Sequence, residues 1–88
     1  MQKRTVTVNN QIGIRARTAT IFLQKAGEFE SSVHIKYKTA LVNGKSLLGI
    51  LSAQILGGAE IEIWTDGADE LAAVDALVDL VNSGFIDY

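Results

Sequence analysis

Four short stretches of this chain alternate apolar and polar residues, and that alternation limits the fold more than any other feature. Val6 and Val8 alternate with Thr5 and Thr7, and Val33, Ile35 and Tyr37 alternate with His34, Lys36 and Lys38. Ala40 to Val42 follows as a hairpin partner across Lys38-Thr39, a weak turn signal. Ile61 and Ile63 alternate with Glu60, Glu62 and Trp64. Helical spacing fills the gaps. Ala16, Ala19, Leu23 and Ala26 recur with Phe22 beside them, up to Gly27. Leu47 to Ile55 follows Ser46, a good N-cap residue, and is closed by Gly57-Gly58. After the turn at Asp66-Gly67, Asp69 and Glu70 stand where a helix dipole favours acids, and Leu71, Val74, Leu77, Val78 and Val81 form a stripe behind them. The order is βαββαβα. Four strands with one apolar face each cannot close a barrel. The pattern predicts an α+β open-faced sandwich: a four-stranded antiparallel sheet with three helices on one face.

At 88 residues there is room for one domain, expected to span 1–88. The chain has no cysteine, so disulfides and thiolate metal sites are excluded. Charge is divided along it. Residues 1–45 carry all eight bases against Glu28 and Glu30, a net of +6, whereas residues 46–88 carry eight acids and no base, a net of −8. In so short a chain this should become two sides of one body, with the basic side binding. Overall acidity disfavours direct nucleic-acid binding. The longest apolar stretch, Leu47 to Leu56, is about half of what a membrane span needs, and Met1 to Asn10 lacks a signal-peptide core. A cytoplasmic protein without membrane attachment is expected.

Catalytic templates fail quickly. His34 is the only histidine, placed by alternation on the polar face of a strand, so no metal cluster or histidine relay can be assembled. Asn43-Gly44-Lys45-Ser46 ends like a phosphate loop, but Thr39 stands where that motif requires glycine. Neither an enzyme nor a bound cofactor is expected.

Two segments rise above this background. In Gly13-Ile14-Arg15-Ala16-Arg17-Thr18-Ala19, a loop runs into a helix, so free N–H groups should lie beside two guanidinium groups. Arg15, Ala16, Arg17 and Thr18 are the candidate site for a phosphate, a sulfate or a partner's carboxylate. The second segment is Asn43-Gly44-Lys45-Ser46-Leu47-Leu48-Gly49-Ile50-Leu51-Ser52. Its helix is apolar nearly all round, so Leu47, Leu48 and Leu51 are expected to contribute to an exposed partner surface around Ser46. Gly49 inside so short a helix costs about 1 kcal/mol relative to alanine. Close approach of another backbone is the expected return.

Together these two segments, with Thr5-Val6-Thr7-Val8 and Asp66-Gly67, resemble the HPr family, the small phosphocarriers of the bacterial sugar phosphotransferase system. The resemblance runs end to end and implies the βαββαβα sandwich. It places Arg15 at the family's phosphorylatable histidine and Thr18 at the proline after its active-site arginine. Arginine stays protonated and offers no nucleophilic lone pair. Ser46 matches the serine that an ATP-dependent kinase phosphorylates in many Gram-positive relatives. The resemblance therefore implies a regulatory or adaptor protein whose partners are phosphotransferase components, a serine kinase/phosphorylase or a transcription regulator. The alternatives are a phosphocarrier in sugar uptake, or a small anion- or metabolite-binding domain using Arg15 and Arg17.

Overall fold

In the computed structural model, which describes residues 1–85, the elements follow the order read from the sequence: β1 (Gln2–Thr7), α1 (Ala16–Ala26), β2 (Ser32–Tyr37), β3 (Ala40–Asn43), α2 (Leu47–Ser52), β4 (Glu60–Asp66) and α3 (Glu70–Asn82). The last three residues of the expected 1–88 domain lie outside the described residues. All strand pairs are antiparallel, in the order β1-β4-β2-β3. No helix among the described residues is long and apolar enough to cross a membrane.

The period-2 pattern fixes the two faces of the sheet. Val6, Ile61, Ile63, Val33 and Ile35 are buried on one face, beneath Ala19, Phe22, Ala26, Ile50, Val74, Leu77 and Val81 from the helices. The other face carries Lys3, Glu62, Trp64, His34 and Lys36 and, among the described residues, no helix. Trp64 is only half-buried there. The Lys3 ammonium lies 4.0 Å from its ring centroid, and its indole N–H donates to the Glu62 carboxylate.

The helix stripes are shifted from those expected. In α1 the buried face is Ala19, Phe22 and Ala26; Ala16 is exposed and Leu23 half-buried, because Ala16 lies in the first turn, clear of the sheet. In α3, Ala73, Val74, Leu77, Leu80 and Val81 are buried, while Leu71 is exposed and Val78 half-buried. The row 73, 77, 80 is the true contact line, and alanine at its start weakened the signal. α2 stops at Ser52, before the expected Ile55. Gln54 takes a positive φ of 54°, which ends the helix and turns Ile55 into the core.

One local expectation fails, and one acidic residue has a second role beyond the helix dipole. Gly27 closes α1 in the right-handed region, at φ −67°, so its freedom for positive φ is not used. Asp69 does sit at the N-cap of α3, but its carboxylate reaches across to the α1–β2 loop instead of capping. It accepts the backbone N–H groups of Glu30 and Ser31, each at 2.9 Å, and the Ser31 hydroxyl. These bonds, the Ser31 hydroxyl foremost, hold its pKa below the ordinary carboxylate value.

Candidate functional site

Residues 9–14 and 55–59 run side by side and present the start of α1. Ile14 N–H donates to the Ile55 carbonyl at 3.0 Å, and Val8 exchanges two bonds with the second segment: its N–H to Ala59 O at 2.8 Å and its carbonyl from Gly58 N–H at 2.7 Å. Their backbones touch directly. A side chain on Gly13 would place its Cβ 2.4 Å from the Ile55 carbonyl oxygen, and one on Gly57 would meet the Gln11 carbonyl oxygen at 2.3 Å. Gly13 also has φ +82°. The Asn10 side-chain amide donates to Gly13 O at 2.9 Å.

Arg15 follows as the N-cap of α1, in extended geometry. A guanidinium has no acceptor and cannot cap the first turn. Thr18 supplies half of a capping box in return: its Oγ1 accepts the Arg15 backbone N–H at 2.9 Å and lies 3.2 Å from Gly13 O. The Thr18 hydroxyl is therefore turned into the loop, not toward an external anion as the sequence suggested. What remains outward is the exposed Arg15 and Arg17 side chains and the first-turn amides of Ala16 and Arg17, which have no intrahelical partner.

Beside Arg15 lies a depression of about 410 Å³, walled by Ile14, Ala16, Leu51, Ile55 and Leu56 with Gln54 at its rim. Leu51, expected at the surface of α2, is half-buried and lines this depression; Leu47 is exposed and Leu48 is 80% exposed. Leu56 in its wall is 60% exposed, and Ile12, two residues before Ile14, is 62% exposed. The sequence reading missed Ile12, Gln54 and Leu56. Gly57 was the available signal, since its backbone meets Gly13 in a crossing too tight for a side chain on either residue.

Ser46 is the N-cap of α2, as its identity indicated; its Oγ accepts Gly49 N–H at 3.1 Å. Lys45 turns away and donates to the Phe29 carbonyl at 2.6 Å. The expected close backbone approach at Gly49 is not found among the described residues: the one backbone atom of the three nearest to its Cβ position is Asn43 O, at an ordinary 3.5 Å. The separation of charge is also less complete than the sequence implied. Glu62 faces Lys36 across the β2–β4 ladder on the helix-free face, whereas Asp75 and Asp79 are exposed on α3. His34, between Trp64 and Asn43 in register, lies on that helix-free face, with the sheet between it and α1.

Residues 2–83 match the family model for the PTS HPr component phosphorylation site. The phosphocarrier protein HPr of Neisseria meningitidis serogroup A is 40% identical over 85 residues, covering 97% of this chain and 96% of its own. The chain belongs to the HPr family. Among solved structures, HPr-C-His from Thermoanaerobacter tengcongensis superposes with a TM-score of 0.94 at 35% identity, covering 100% of this chain and 99% of that one. The Bacillus subtilis catabolite repression protein Crh, a swapped-domain dimer, superposes at 0.77 with 32% identity over 96% and 97% of the two chains. An HPr-family member is thus a phosphotransferase-system protein built on the open-faced sandwich, and this one presents an arginine at the N-cap of α1.

Proposed function

We propose that this HPr-family chain, as one domain over 1–88, is a cytoplasmic regulatory adaptor, neither an enzyme nor a phosphoryl carrier. Arg15 at the N-cap of α1 is the observation that carries the reading. It occupies the position the family resemblance assigns to the phosphoacceptor histidine, and a permanently protonated guanidinium cannot attack phosphorus. His34, on the helix-free face, is not positioned to replace it. Likeness to Crh, which is named for catabolite repression, supports a regulatory role.

Ser46 is the regulatory phosphorylation site in this reading. The residue is half-buried at the start of α2, and phosphorylation adds a charge of about −1.5 to −2 there. Leu47, Leu48 and Leu51 form the apolar part of the partner surface. Arg15 and Arg17, with the free first-turn amides beside them, form the basic part, which takes a phosphate, a sulfate or a partner's carboxylate. The partners are phosphotransferase components, a serine kinase/phosphorylase or a transcription regulator.

Two labelling reactions test this. Phosphoenolpyruvate with a competent Enzyme I should leave the chain unlabelled, and acid-labile phosphohistidine would refute the reading. ATP with an HPr serine kinase should add one phosphate that maps to Ser46 and disappears in Ser46→Ala.

A further inference from the structure

Gly49 is the one glycine of α2, and the usual reasons for a glycine do not account for it. Its φ is not in the left-handed region. No other element crowds it either. Gly13, Gly44, Gly57 and Gly67 each have another segment within 2.3 to 2.7 Å of an added Cβ, but Gly49 does not. The three nearest atoms to a Cβ at position 49 come from Ser46 and from the end of β3: Ser46 Oγ at 3.3 Å, Ser46 Cβ at 3.4 Å and Asn43 O at 3.5 Å. The helix gives up favourable propensity at this position. What it gains is one flank of the Ser46 hydroxyl without a carbon 3.3 Å from Oγ.

We propose that Gly49 is a specificity-determining residue for phosphorylation of Ser46: the missing side chain keeps the flank of Oγ clear for the incoming phosphoryl group. The inference rests on the Ser46 reading above. In the transfer, Ser46 Oγ forms a bond to the γ-phosphorus of ATP while the bond from that phosphorus to the β,γ-bridging oxygen breaks. ADP leaves with the electron pair, and the hydroxyl proton passes to a base of the kinase. A hydroxyl proton is thereby exchanged for a group with three oxygens, which needs room on more than one side of Oγ. A methyl group already in van der Waals contact with Oγ takes part of that room. Ser46 itself is half-buried, and Leu47 and Leu48 beside it are exposed.

The test compares the full-length chain with Gly49→Ala and, as a control on the same helix, Ser52→Ala. Each is incubated with an HPr serine kinase and ATP, and phosphate incorporation is followed by intact mass. Gly49→Ala should be labelled about tenfold more slowly or worse through kcat, with KM for the protein substrate little changed, because crowding acts at the attacking atom. Ser52→Ala should match the parent. Unlabelled Gly49→Ala should also inhibit labelling of the parent chain competitively, which shows that it is folded and docks. Equal rates for Gly49→Ala and the parent would overturn the proposal while leaving the Ser46 reading intact. Loss of inhibition would overturn it as well, since the defect would then lie in the fold. Failure of the parent chain itself to be labelled would remove the Ser46 reading and this one together.

Discussion

The Thr18 hydroxyl oxygen accepts the Arg15 backbone N–H at 2.9 Å, so the residue at the head of α1 is held by a side chain one turn further on. Arg15 cannot return the bond, because its side chain has only donors. Position 15 is thus fixed through its backbone and left free in its side chain.

Removing that hydroxyl should loosen the start of α1 without altering the core. Thr18→Ala is expected to cost about 1 kcal/mol, the usual worth of a lost cap. Urea unfolding should show a lower midpoint at an unchanged m-value. No change in midpoint would mean that the cap bond contributes nothing net.

Arg15→His should make the site competent for phosphoryl acceptance, on the reading that only the acceptor atom is lacking. With phosphoenolpyruvate and Enzyme I, the variant should gain an acid-labile phosphate that the parent chain does not. If it stays unlabelled while folding normally, more than one residue separates this chain from its carrier relatives.

Asp69 should give the protein a weakness at acid pH. Hydrogen bonds from Ser31 and from the Glu30 amide lower its folded-state pKa beneath the ordinary 3.8, so the unfolded chain binds the proton more readily. The stabilisation is therefore complete above that value and is lost as the pH falls through the lower folded-state pKa. Melting temperatures between neutral and strongly acidic pH should fall more steeply for the parent than for Asp69→Asn. Parallel curves would show that the carboxylate is not what ties the α1–β2 loop to α3.

Gly13→Ala should be far more damaging than its size suggests. It combines a disfavoured φ of +82° with a Cβ 2.4 Å from the Ile55 carbonyl oxygen, so the backbone must move. A loss of about 3 kcal/mol is expected from strain and overpacking together. Gly58→Ala, with positive φ but no atom within 4 Å, isolates the dihedral part and should cost less.

The architecture was legible in the sequence because two different periods announce it. Strands β1, β2 and β4 each alternate cleanly against a single buried face, and the helices between them hold to the helical spacing. The boundaries were less legible wherever a residue adopts geometry that its type does not advertise. Lys38 carries φ +55° in the hairpin turn and Gln54 carries φ +54° after α2, and neither is a residue that signals a left-handed backbone. Helix faces were misjudged where alanine, a weak marker of burial, starts the contact row, as at Ala73. At the candidate site, Arg15 and Ser46 could be read as N-caps from their neighbours. The depression beside Arg15 could not, because Gln54 and Leu56 reach it only through the pairing of two distant loops. The inward turn of the Thr18 hydroxyl is illegible for the same reason: only the folded loop supplies its partners.

The crossing of residues 9–14 over 55–59 is made of main chain against main chain, with Gly13 and Gly57 leaving no gap for a side chain. The frame that aims position 15 therefore does not depend on what position 15 is. A lineage can exchange the reactive group there, or abolish it, without renegotiating the scaffold. Chemistry at the head of α1 is in this sense a detachable fitting on a frame that the main chain holds together by itself.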